Sequence, residues 1–180
     1  GGALGLLWGA LVVFVVVWAL RKFDIVEEDR SKLYRFIGPP IIDSFQKFYG
    51  FSEEKAKRAV EQYRVYYREK GVFENELYDG IEQLIKELSA AGKRLIIATS
   101  KPEVFAEKIL EYFGLAKYFS HIVGATLDGT LAKKDEIIAH AIKESKIEDK
   151  SRAVMVGDRE YDITGAKKNG LGSIGVLFGF

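Results

Sequence analysis

Three short segments of the chain carry side chains whose types and spacing could do chemistry. Gly157-Asp158-Arg159-Glu160-Tyr161-Asp162 follows the apolar run Ala153-Val154-Met155-Val156, so one carboxylate lies just past a strand and a second lies four residues on, at a helix start. Hard oxygen donors on a glycine-tightened turn suit Mg²⁺, which takes one or two protein carboxylates and keeps water and substrate phosphate as its other ligands. The same two residues could simply end a strand and cap a helix. Thr99-Ser100-Lys101-Pro102 follows the run Arg94 to Ala98. Hydroxyls, a lysine and free N–H groups ahead of a helix make a candidate anion site, with a plain helix cap as the alternative. Lys133-Lys134 heads a further helix, where a cation opposes the helix dipole. That placement suits an amine serving a phosphate, or else a solvated surface pair.

Positioning these groups requires a regular frame, and the hydrophobic pattern supplies one. Apolar residues at helical spacing run through Ile81, Leu84, Ile85 and Leu88, followed by the strand-like Arg94 to Ala98. The unit then recurs: helix Pro102 to Phe113, strand His121 to Ala125, helix Lys134 to Ser145, strand Ala153 to Val156, helix Asp162 to Asn169, strand Ser173 to Leu177. Such alternation predicts a doubly wound, Rossmann-like α/β parallel sheet with ligands at the carboxyl ends of its strands. Upstream the pattern is helical: Leu33, Phe36 and Ile37 before Gly38-Pro39-Pro40, then Ile41, Ile42, Phe45 and Phe48, then a long helix from the N-cap Ser52 to Gly71. The reading is a helical module over 1–78 and an α/β core over 79–180.

Composition removes several alternatives. The 180 residues include no cysteine, which excludes disulfide frameworks, thiolate zinc sites and cysteine nucleophiles. A net charge of +1 argues against nucleic acid as a partner. Lys55, Lys57, Arg58, Arg64 and Arg68 alternate with glutamates as a solvated helix face, and Tyr63, Tyr66 and Tyr67 are expected to pack within the helical module.

The order TSKP, then a helix-heading lysine, then VGDREYD with GAKKNG and IGV, resembles the haloacid dehalogenase superfamily of phosphatases, in its phosphoglycolate phosphatase-like and 5'-nucleotidase-like branch. The stretch LYRFIGPP resembles that branch's helical cap. The resemblance implies a small phosphorylated metabolite as substrate, Mg²⁺ as cofactor, a cytoplasmic setting, and hydrolysis through an aspartyl-phosphate. It assigns Thr99, Ser100, Lys101 and Lys134 to the phosphoryl group, Asp158 to the metal, and Asp162 to the same metal site. It also makes Phe36 to Pro40 the expected specificity segment. Oligomeric state has no signature.

The family's first motif, two aspartates one residue apart before Gly-Thr-Leu, has no counterpart. Asp24 has Val26 in the second position, and Asp128-Gly129-Thr130-Leu131 has Thr126 in the nucleophile's place, so Asp128 is expected in a turn. The chain as given should therefore be nearly inactive, or serve as a non-catalytic phosphate- or metal-binding module. Where that motif is expected stands Gly1 to Leu20, built from only Gly, Ala, Leu, Val, Phe and Trp. Three accounts are open for it: a stretch of doubtful identity in a chain truncated at both ends, a membrane anchor of roughly 30 Å, or a replacement strand at Val12 to Val17 in an inactive relative.

Overall fold

The computed structural model describes residues 8–36 and 40–177, the side chains of 8–14 excepted. Residues 1–7, 37–39 and 178–180 lie outside this description, and with them most of the expected specificity segment Phe36 to Pro40. Two compact units divide the chain between Asn75 and Glu76.

The first unit is helical: α1 (Trp8–Arg21), α2 (Ile41–Tyr49) and α3 (Glu53–Tyr66). A helix at Trp8–Arg21 excludes the replacement strand at Val12 to Val17. An all-apolar run has no informative period, so β-branched content alone pointed to a strand, and packing decided otherwise. Val15, Val16, Ala19 and Leu20 are fully buried, and α1 packs on α3 within this unit. Among the described residues no helix is long and apolar enough to cross a membrane. The segment Arg30–Phe36, expected as α-helix, is a 3₁₀ helix that buries Leu33 and Phe36. Phe36 meets Phe45 edge-on at 5.2 Å between ring centroids, and Phe45 stacks on Phe51 at 5.7 Å.

The long helix expected to reach Gly71 changes to a π turn at Tyr67–Gly71. Tyr63 and Tyr67 stack at 5.8 Å, and burial pushes both phenols above their usual range, so they pack here as the sequence suggested. Gly50 ends α2 with φ of 64°, and Ser52 Oγ accepts from the Lys55 N–H at 3.2 Å to open α3. Ser52→Ala is expected to cost about 1 kcal/mol, read as a lowered urea midpoint, because one of the first N–H groups of α3 loses its acceptor.

The second unit alternates: α4 (Ile81–Ala90), β1 (Leu95–Pro102), α5 (Glu103–Tyr112), β2 (Phe119–Ala125), α6 (Lys134–Glu144), β3 (Val154–Gly157), α7 (Glu160–Lys168) and β4 (Gly172–Gly175). All strand pairs are parallel, as expected of a wound α/β core. The single sheet, however, resolves into two ladders, β1 with β2 and β3 with β4, with no described strand joining them. Helices join them instead: α6 packs on β1, β2 and α7, while α7 packs on β3 and β4. Side chains of β1 alternate between two cores, as a strand covered on both faces must. Leu95 and Ile97 join Ile81, Ile85, Leu110 and Leu115 on the α4 and α5 side. Ile96 and Ala98 join Val123, Ile137 and Ala141 on the α6 side.

Candidate functional site

The sequence reads TSKP as an anion site or a cap at a helix start beyond the strand, and the structure places it inside β1. Ala98 pairs with Val123 and Pro102 with Ala125, so three residues of β1, Thr99 to Lys101, stand opposite Gly124 alone. A bulge of this kind breaks the ladder and re-aims side chains. Thr99 Oγ1 accepts from the Lys101 N–H at 3.2 Å, and Helix α5 begins later, at Glu103, with Pro102 as an N-cap that offers no side-chain bond. Thr99 and Lys101 are buried and Ser100 is exposed. Burial pushes the Lys101 amine well below the usual lysine range, so its charge is not the solvent-facing one that the spacing suggested.

Gly124 permits the bulge. A Cβ on it would lie 2.5 Å from the backbone N and Cα of Glu103 and 2.7 Å from the Lys101 carbonyl oxygen. Its N–H donates to Glu103 Oε2 at 3.0 Å. Sequence spacing gave no sign of Glu103, whose role depends on a contact 21 residues away in the chain.

Lys134 sits in the first turn of α6, as the sequence placed it, and is not a solvated surface lysine. Its side chain is 5% exposed, its Nζ lies 2.8 Å from Asp162 Oδ1, and it donates to the Ala98 carbonyl at 2.7 Å. The ammonium thus ties the middle of β1, beside Thr99, to the start of α7. Lys133 is exposed and reaches Glu136 at 3.5 Å.

Asp162 has both oxygens engaged: Oδ1 with Lys134, and Oδ2 with the Arg159 N–H at 3.1 Å. The latter bond is half of a capping box, which satisfies a donor ahead of α7. The carboxylate lies against Gly157, where a Cβ would overlap it. Asp162, grouped with Asp158 at the metal site from the sequence, pairs with Lys134 and caps α7. Asp158 differs: its Oδ1 is buried and has no hydrogen-bond partner. Among the described residues no cluster of three or more histidine or acidic side chains could hold a metal ion.

The two sequence decoys are ordinary. Asp24 follows α1 in a left-handed turn with φ of 59°. Asp128 accepts from the Thr130 N–H at 3.0 Å and hydroxyl at 2.8 Å within a turn, as expected. Bonds from the Thr126 hydroxyl and from Thr130 hold its carboxyl down to about 2. A depressed carboxyl contributes stability above its unfolded value of 3.8 that is lost as pH falls through about 2. In an NMR titration of the side-chain carboxyls, Asp128 is expected to titrate near pH 2, and Thr130→Val to move it back toward 3.8.

Comparison with known proteins identifies the family. A family model described as haloacid dehalogenase-like hydrolase matches residues 11–176. A 5'-nucleotidase of Pseudomonas aeruginosa is 41% identical over 165 residues, 92% of this chain and 74% of that protein. The tyrosine-protein kinase PtkA of Mycobacterium tuberculosis is 38% identical over 80% of this chain, which spans 48% of the kinase. The crystal structure of a predicted phosphatase from Clostridium acetobutylicum superposes with a TM-score of 0.88 at 48% identity, covering 97% of this chain and 80% of that one. With its parallel α/β core, its helical first unit and a family match over nearly its whole length, the chain belongs to the haloacid dehalogenase-like hydrolases.

Proposed function

We propose that this chain carries the phosphoryl-binding site of a Mg²⁺-dependent phosphomonoesterase acting on a small phosphorylated metabolite, phosphoglycolate-like or a nucleoside monophosphate. The observation that carries the reading is the buried Lys134 ammonium, held between the Ala98 carbonyl and Asp162 beside the Thr99 bulge. A cation fixed in a dry site by a carboxylate and a carbonyl needs no reorganisation when a phosphate arrives, which is the condition under which electrostatic stabilisation is strongest. Thr99 then offers its hydroxyl to a phosphoryl oxygen, with Ser100 and the backbone of the bulge beside it. Lys101, buried within the bulge, supports that segment and has a weaker claim to direct contact with substrate. Asp162 holds the ammonium in place.

The residues present fit a hard cation at one point. The unpartnered, buried Asp158 Oδ1 is the kind of donor Mg²⁺ uses when water and phosphate fill the rest of its shell. Bound there, the ion would neutralise charge on the phosphate. Asp162, already committed, belongs to the support of the site. The relatives' names point to phosphoryl chemistry with different acceptors, a nucleotidase and a protein kinase.

These 180 residues contain no Asp-x-Asp pair to supply a nucleophile and a general acid. The expected result for this chain is therefore binding of inorganic phosphate, strengthened by Mg²⁺, without turnover of a phosphomonoester. Asp158→Asn should abolish the Mg²⁺ dependence in calorimetric titrations, weakening phosphate binding at least tenfold in its presence. Equal Mg²⁺ dependence in the variant would remove Asp158 from the metal, and robust turnover by the unaltered chain would overturn the predicted inactivity.

A further inference from the structure

The Lys134 and Asp162 side chains meet only because the first turn of α6 lies close against α7, and a second set of residues controls that approach. Asn169, the residue that ends α7, spends its carboxamide hydrogens on two carbonyls, one across the seam and one in its own helix. Its Nδ2 donates to the Asp135 carbonyl at 2.9 Å, one residue after Lys134, and to the Gly165 carbonyl at 2.9 Å, within α7 itself. Gly165 brings the helices together: a Cβ there would lie 3.0 Å from the Ile138 Cδ1 and 3.4 Å from the Asp135 backbone. Lys168 reaches Asp135 Oδ2 at 2.9 Å over the same seam, but its side chain is 68% exposed. An exposed pair of that kind contributes little.

The geometry points to Asn169 as a positioning residue for the phosphoryl site, setting where α6 delivers the Lys134 ammonium by clamping the Asp135 carbonyl to the last turn of α7. The inference rests on the proposed role of Lys134. The chemistry is specific to asparagine. Two N–H donors in one short plane are needed, so aspartate presents only acceptors to two carbonyls, serine has a single donor, and glutamine is one carbon too long for the same seat. The Asp135 carbonyl belongs to the backbone of the turn that carries Lys134. Its displacement therefore moves the ammonium relative to Ala98 and Asp162, which sit on other elements.

The test uses the full chain and reads Lys134 directly. In ¹H–¹⁵N spectra of the lysine ammonium groups, folded Asn169→Ala is expected to shift the Lys134 resonance and to speed its hydrogen exchange about tenfold or more. Inorganic phosphate should bind about tenfold more weakly, the scale of two lost hydrogen bonds of ordinary strength. Lys168→Ala, which cuts the surface bridge alone, should change neither reading. A folded Asn169→Ala protein whose Lys134 signal and exchange match the unaltered chain overturns the inference, and so does Lys168→Ala reproducing the full effect. If Asn169→Ala does not fold, Asn169→Ser retains one donor and must give an intermediate shift; an unperturbed Lys134 signal in that variant is equally fatal. A perturbed Lys134 signal with unchanged phosphate affinity would support the positioning role while refuting phosphate binding by Lys134.

Discussion

Asp162→Ala should destabilise the α/β unit by about 3–5 kcal/mol, the range found when one partner of a buried ion pair is removed. The side chains of Lys134 and Asp162 are 5% and 2% exposed, so neither charge can be rehydrated without opening the α6–α7 packing. Truncation leaves the ammonium facing the Ala98 carbonyl, a dipole, in place of a full negative charge. It also strips the Arg159 N–H of its acceptor ahead of α7. Urea unfolding of the variant should show a midpoint lowered by well over 1 M, since small proteins lose roughly 1–3 kcal/mol per molar urea. The double variant Lys134→Met with Asp162→Leu should recover most of the loss, because removing both charges removes the desolvation cost along with the attraction. A loss below 1 kcal/mol for Asp162→Ala would mean that the pair is solvated in solution and would withdraw the description of Lys134 as a fixed cation.

Gly124→Ala is the second large effect, and it acts through shape alone. The added carbon would lie 2.5 Å from two backbone atoms of Glu103 and 2.7 Å from the Lys101 carbonyl oxygen, and no flexible side chain can swing away to relieve either contact. The start of α5 must move off β2, which breaks the Gly124 N–H bond to Glu103 and reshapes the bulge that presents Thr99. Overpacking of this sort typically costs 1–3 kcal/mol, and the lost hydrogen bond takes the expectation to about 3 kcal/mol. Phosphate affinity should fall with stability, because the strained segment carries the candidate hydroxyl. An alanine variant as stable as the unaltered chain would show that β2 and α5 are not in the close contact described.

The extent to which this molecule could be read from its sequence depends on the range of the interactions involved. The alternation of helix and strand from Ile81 onward is a local pattern, and it was visible with boundary shifts of a few residues. Lys134 could be singled out because a cation at a helix start is locally unfavourable and calls for an outside reason. Asp162 was visible as an acid in a first turn, but its commitment to Lys134 depends on how α6 meets α7. The bulge at Thr99 to Lys101 was hidden because it exists only relative to the register of β2, and register is not a property of one strand. The replacement-strand account of the opening apolar run failed for another reason. Without polar residues to mark a face, neither period 2 nor period 3.6 can be detected, and the buried flank of α1 supplied the decision.

The division of the strands into two ladders also bears on the order of events during folding. Each ladder with its own helix can form from contacts close in sequence, whereas the Lys134 bond to Ala98 closes a loop of 36 residues and the bond to Asp162 then reaches a second ladder. Loop closure must be met before such distant contacts are rewarded. The ammonium holds both partners only where α6 is docked on one ladder and α7 is docked on α6. The candidate site is therefore whole only in a unit whose two ladders and joining helices are all in place.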